Sequence, residues 1–143
     1  MNKTILFLCT GNYYRSRFAE SLFNHMAAEK KLELVAISRG LQIDMATLVG
    51  TVSVHTRDAA RARGVKLDTR MPIDLTYGDL RNAHLVVAVK ETEHRPRLDA
   101  RFPGWSHRVV FWNVHDLDGA LPELALVEIE TQVKKLIAQL AAM

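Results

Sequence analysis

The sequence predicts an α/β fold, a four-stranded parallel sheet with helices on both faces. Three observations lead there. Short apolar runs recur along the chain and suit strands buried on both sides. Between them, apolar residues recur at helical spacing. The two patterns alternate, and such alternation calls for a parallel sheet with crossover helices packed on it. A length of 143 residues suits one compact domain, 1–143, with a single core.

The elements follow in order. "TILFLC" (4–9) is the first strand. From Ser16 the period changes: Phe18, Ala19, Leu22, Phe23, Met26 and Ala27 share one helical face, with Glu20, Asn24 and Lys30 outside. "LELVAIS" (32–38) is the second strand, stopped by Gly40. "TVSVHTRDAARARG" (51–64) is a helix closed by Gly64. "TYGDLRNA" (76–83) is a short helical turn and "HLVVAV" (84–89) the third strand. "KETEHRPRLDARF" (90–102) is a helix interrupted or started near Pro96. "RVVFWNV" (108–114) is the fourth strand. A long last helix carries the stripe Leu126, Ile129, Val133, Leu136, Ile137 and Leu140.

Composition narrows the function. The net charge is +3, but it is spread out, and no Lys/Arg run exceeds two residues. This describes solvated helix faces, so no nucleic-acid partner is expected, although mild basicity suits an anionic substrate. No apolar run approaches the ~20 residues of a membrane helix, so no membrane association is expected. The N-terminus lacks a small-residue cleavage site, so no signal peptide is expected. One cysteine cannot form an internal disulfide, which makes a reducing cytoplasm the default location. The six histidines share no metal-type spacing, so neither metal nor cofactor is expected.

In open α/β sheets ligands bind outside the carboxyl ends of the strands. Cys9 ends the first strand there, Lys90 and Glu91 follow the third, and His115 and Asp116 follow the fourth. The stretch "FLCTGNYYRSRF" (7–18) has the chemistry for such a site. A helix N-terminus and a nearby Arg15 both favour a thiolate, which is the nucleophilic form of cysteine. The same features bind phosphate. Amides from Thr10 through Gly11, Asn12, Tyr13 and Tyr14 to Arg15 ring three oxygens, and Arg15 grips two of them with its planar fork. Gly11 permits close approach, and Asn12 tolerates left-handed dihedrals. Ser16 offers its hydroxyl to the sulfur and a start to the helix. The bland alternative is a small buried hydrophobe at a strand end with a surface arginine beside it.

"CTGNYYRS" resembles the phosphate-binding loop of the low-molecular-weight protein tyrosine phosphatases, Cys-x-Gly-Asn-x-x-Arg-Ser-Pro near the N-terminus. The resemblance extends through the order of elements over essentially the whole chain. It implies a sheet in the order 2-1-3-4. It also implies hydrolysis of a phosphorylated protein or small phosphate ester through a cysteinyl-phosphate, by a monomer or weak dimer. Cys9 is then the nucleophile and Arg15 the phosphoryl ligand. Asn12, Ser16 and Ser38 of "AISRG" support the loop. The family's general acid is an Asp after its fourth strand. Here "FWNVHDLDGALPE" (111–123) offers Asp116, with Asp118 as its rival. Two further readings stand beside hydrolysis: arsenate reduction with an external thiol, and a non-catalytic oxyanion-binding module.

The sequence departs from the pattern at four places. Arg17 replaces the family's proline, which would put another positive charge at the mouth of the cradle. Tyr14 stands where a second cysteine is common. The tyrosines that wall the phosphotyrosine ring are missing after the acid, with Tyr13, Leu41 or Trp105 as substitutes. A loop-supporting histidine has no counterpart near Thr69, and His94 is read as a rim or solvated helix residue.

Overall fold

The structure, a computed structural model, describes residues 2–114 and 122–143. Strands β1 (Lys3–Cys9), β2 (Leu34–Gly40), β3 (Leu85–Ala88) and β4 (Val109–Phe111) form one sheet in the order β2-β1-β3-β4. All three pairings are parallel. The helices are α1 (Arg15–Glu29), α2 (Val54–Ala62), α3 (Tyr77–Asn82), α4 (Glu91–Arg101) and α5 (Pro122–Ala141). The architecture and strand order are those expected from the sequence.

Strand side chains alternate between faces, so β1 builds two cores. Ile5, Phe7 and Cys9 pack with Phe18, Leu22 and Phe23 of α1 and with Leu126, Ile129 and Val133 of α5. Leu6 and Leu8 pack on the other face with Leu80 of α3 and with Leu98 and Phe102 about the end of α4. The nucleophile candidate is thus the last inward residue of a fully covered central strand.

Several boundaries differ from the expectation, each for a local reason. Strand β2 lies two residues later than 32–38. The Leu32 amide is spent on Ala27 O at the end of α1, and Gly40 stays in register with Cys9. The second helix spans less than 51–64. Ser53 caps it by accepting from the His55 amide, and Gly64, at φ 66°, turns the chain out of it. A capping box between Thr76 and Asp79 fixes the start of α3. Helix α4 runs through Pro96 without a break, with Glu91 and Glu93 in its first turn, where acidic residues favour the dipole. Strand β4 is shorter than 108–114 because it lies at the edge and pairs only with the short β3. A 3₁₀ turn (Met45–Thr47), capped by Asp44, was not legible beforehand.

Candidate active site

Cys9 ends β1 and is 2% exposed. Its Sγ lies 2.7 Å from Ser16 Oγ. Ser16 Oγ in turn accepts from Asn12 Nδ2 at 3.0 Å, which leaves the Ser16 hydroxyl hydrogen free to point at the sulfur. A thiolate can only accept, so this direction suits the nucleophilic form. Spending Ser16 this way changes its expected second role. The N-cap of α1 is Tyr14, with no side-chain cap bond. No side-chain cap on Tyr14 therefore competes with an anion at the start of the helix.

Asn12 is fully buried and left-handed, at φ 49°. Its amide is used completely. Nδ2 donates to Ser16 and to Ser38 Oγ (2.9 Å), while Oδ1 accepts from the Ile73 amide (2.9 Å) and Arg70 Nη1 (3.2 Å). Ser38 Oγ donates to Glu20 Oε1 at 2.7 Å, and Arg70 Nη2 donates to the same oxygen at 2.9 Å. The loop is braced through a continuous relay, Cys9–Ser16–Asn12–Ser38–Glu20–Arg70. Among the described residues, the amides of Thr10, Gly11, Asn12 and Tyr13 donate to no other protein group.

Arg15 is 7% exposed and meets Glu93 of α4 end-on: Nη1 donates to Oε1 at 3.2 Å and Nη2 to Oε2 at 2.6 Å. The Thr10 hydroxyl donates to Glu93 Oε2 as well. Burial pushes the Glu93 carboxyl up, but contacts with His94, Arg15 and Thr10 outweigh it and hold the group well below the usual carboxylate range. Glu93 is therefore a fixed anion and no proton donor at neutral pH. His94 is fully buried, so it is neither a rim nor a solvated residue. Its Nδ1 accepts from the Lys90 amide at 3.1 Å, which places the proton on Nε2. That nitrogen lies 3.0 Å from Glu93 Oε2, though off the line of a well-formed hydrogen bond. Burial lowers the His94 pKa, with Glu93 partly opposing it.

The family model for low molecular weight phosphotyrosine protein phosphatase matches residues 4–143. The chain belongs to this family. Among curated protein sequences none matches this phosphatase. Solved structures do. A low molecular weight protein tyrosine phosphatase from T. tengcongensis aligns with TM-score 0.81 at 23% identity, covering 96% of this chain and 99% of its own. YfkJ from Bacillus subtilis aligns with TM-score 0.83 at 23% identity, covering 99% and 96%. YwlE arginine phosphatase from Geobacillus stearothermophilus gives TM-score 0.76 at 24% identity, covering 98% and 94%. At these identities the likeness is one of fold.

Three residues of the phosphatase's cradle escaped the sequence reading: Glu20, Arg70 and Glu93. Glu20 looked like an outward helix residue, yet it is 6% exposed. Arg70 follows Thr69 and braces the loop where no histidine was found. Glu93 was read only as part of the helix over 90–102, and its place just past the carboxyl end of β3 was the signal that could have pointed to it. Arg17 requires a correction. It is 1% exposed and turned into the protein, not placed at the mouth. Tyr14 also turns inward, its hydroxyl donating to Pro122 O at 2.8 Å.

Of the three residues considered as an aromatic wall, Leu41 is fully buried in the core. Trp105 packs at the far end of the sheet, in a cavity shared with His84 and Arg108. Tyr13 alone lies at the cradle, lining a groove of about 430 Å³ with Val49, Val52, Val54 and Arg57. Among the described residues, a β-carbon on Gly11 would meet only Tyr13 Cβ, at 3.9 Å, so they do not demand glycine there. It does at Gly40, where a β-carbon would come within 2.6 Å of Ile43 Cγ1 and 3.0 Å of Thr10 O. Asp116 and Asp118 lie outside the described residues.

Proposed function

We propose that this phosphatase hydrolyses phosphotyrosine or a related aryl phosphate, with Cys9 as nucleophile, Arg15 as phosphoryl ligand and Asp116 as general acid. The observation that carries this reading is the directed relay from Asn12 through Ser16 to the Cys9 sulfur, set beneath unspent loop amides and a buried arginine. Cys9 Sγ attacks phosphorus and the bond to the aryl oxygen breaks. Asp116 gives its proton to that oxygen. Water then attacks phosphorus, the sulfur–phosphorus bond breaks, Asp116 takes the water proton, and the thiolate is restored. Thr10, Gly11, Asn12, Tyr13 and Tyr14 contribute backbone amides to the equatorial oxygens, and Ser38 supports Asn12.

Two described residues support Asp116. Val114 donates its amide to Val89 O at 2.9 Å, and Val89 donates to Leu8 O beside Cys9. Pro122 O accepts from Tyr14 of the loop. Val114 and Pro122, the described residues on either side of Asp116 and Asp118, thus each bond to a residue near the cradle. The enzyme works on phosphorylated protein or a small ester in the reducing cytoplasm, as a monomer or weak dimer. Among the described residues no helix is long and apolar enough to cross a membrane.

The test is release of p-nitrophenol from p-nitrophenyl phosphate between pH 5 and 8, with Cys9→Ser alongside, followed by phosphotyrosine, phosphoserine and phosphoarginine peptides. Turnover that vanishes in Cys9→Ser while phosphate still binds is the expected result. Wild-type protein that binds phosphate without turnover would refute hydrolysis and make arsenate with an external thiol the next substrate.

A further inference from the structure

Arg17 is a cation in an unusual setting. Arg17 is 1% exposed, and its guanidinium donates to four carbonyl oxygens: Asn12 O (3.2 Å), Thr51 O (3.1 Å), Asp68 O (2.8 Å) and Arg70 O (2.6 Å). Those carbonyls come from three separate segments around the cradle. Among the described residues it forms no ion pair. The neighbouring charges are already committed: Arg70 to Glu20 at 2.9 Å, and Arg15 to Glu93 at 2.6 Å. The Asp68 carboxylate is more than half exposed and lies nearer Arg70, at 3.8 Å. Among the described residues, the cluster thus sets three guanidinium groups, of Arg15, Arg17 and Arg70, against the two carboxylates of Glu20 and Glu93. Carbonyl dipoles solvate such a charge, but they do not neutralise it.

We propose that Arg17 is a positioning residue for the phosphatase reaction, clamping the three segments that shape the cradle while supplying a buried positive charge that the Cys9 thiolate and the bound phosphoryl group balance. The proposal rests on the reading of Cys9 as nucleophile. Burial first, and the Arg70 charge second, lower the Arg17 pKa, while Glu20 and Asp68 raise it; the geometric link to the cradle is the bond from Arg17 to Asn12 O. A guanidinium remains protonated under any such shift. The position explains why an arginine is accommodated at the third residue of α1. Its own amide is among the first four of the helix and needs no intrahelical partner. The side chain is what differs from a proline.

Charge and clamp separate by substitution. Arg17→Lys keeps the cation and loses the fork; Arg17→Met loses both. If Arg17→Met does not fold, Arg17→Pro, the residue of the family pattern, takes its place. The readouts are the rate of Cys9 alkylation by iodoacetamide at pH 6, competitive inhibition by inorganic phosphate, and melting temperature. Both Lys and Met variants should melt lower. Alkylation and phosphate affinity should fall about tenfold in the Met variant and recover most of that in the Lys variant, the size of one interior charge acting over several ångströms. Equal losses in both variants would reduce Arg17 to a structural clamp and overturn the proposal. So would wild-type alkylation and inhibition in the Met or Pro variant. A Cys9→Ser protein that still turns over substrate would instead sink the underlying reading.

Discussion

Replacing Glu93 with Gln tests the most consequential contact that the sequence did not show. The change keeps the side chain's shape and removes its charge. In the native protein, Glu93 takes both terminal nitrogens of Arg15, and the two side chains are 16% and 8% exposed. Breaking a fully buried pair from one side costs about 3–5 kcal/mol. Discounted for partial exposure, the loss here is about 2 kcal/mol. At roughly 4 °C per kcal/mol for a protein of this size, melting should fall by about 8 °C near pH 7. The pH dependence carries a sign. The folded carboxyl titrates below its unfolded value, so its stabilisation is present above about pH 4.3 and lost as pH falls further. Wild-type and Glu93→Gln melting curves should therefore converge on acidification. In turnover, a guanidinium that has lost its orienting partner should lower kcat more than it raises KM, by about tenfold in kcat/KM. Thermal melts from pH 3 to 7 with steady-state kinetics measure both. Parallel melting curves with unchanged kcat/KM would refute the idea that Glu93 holds Arg15 for catalysis.

Other outcomes follow from the same geometry. Asp116→Ala should slow hydrolysis of aryl esters most when the leaving group is poor, about 100-fold for phenyl phosphate and far less for p-nitrophenyl phosphate; the same pattern in Asp118→Ala instead would transfer the role. Gly40→Ala should destabilise by about 1–3 kcal/mol and lower kcat/KM, because the new methyl group must displace Ile43 or the Thr10 carbonyl beside Cys9; a wild-type melting curve would refute the crowding. His94 titrates below its unfolded value, so its neutral form stabilises the fold above about pH 6.5 and that contribution is lost as pH falls. His94→Gln should flatten the decline in melting temperature between pH 7 and 5, and a decline equal to wild type would exclude His94 as its source.

The sheet and the place of Cys9 were legible because they follow from short-range patterns, and the strand order because the loop resembles that of a family whose order is 2-1-3-4. Strand periodicity in "TILFLC", the change of period at Ser16 and the Cys-x5-Arg-Ser spacing are all local. What surrounds the loop was not, because it is assembled from far along the chain. Arg70 reaches Asn12 across 58 positions and Glu93 reaches Arg15 across 78. Nothing local distinguishes such residues from solvated charges. Glu20 shows the same limit inside one helix: on a helix buried on more than one side, an amphipathic pattern fails to mark a carboxylate that another element needs. His94 was misjudged for the same reason, since its neighbours in "KETEHRP" are charged while its own ring is fully enclosed.

The arrangement has a common physical logic. A cradle for a dianion must keep its donors aimed while it is empty, which means holding polar groups away from their usual local partners. The N-cap position of α1 falls on Tyr14, whose side chain makes no cap bond, which costs about 1 kcal/mol of helix stability at an ordinary terminus. Asn12 accepts a left-handed backbone. Arg17 is buried with no counterion among the described residues. Each choice works against stability taken alone, and distant groups compensate two of them: the Ser38, Glu20 and Arg70 relay for Asn12, and four carbonyls for Arg17. Local rules broken together around one thiol, and repaired from elsewhere in the fold, are what preorganisation for an incoming anion requires. A cysteine that merely filled space at the end of a strand would have no use for them.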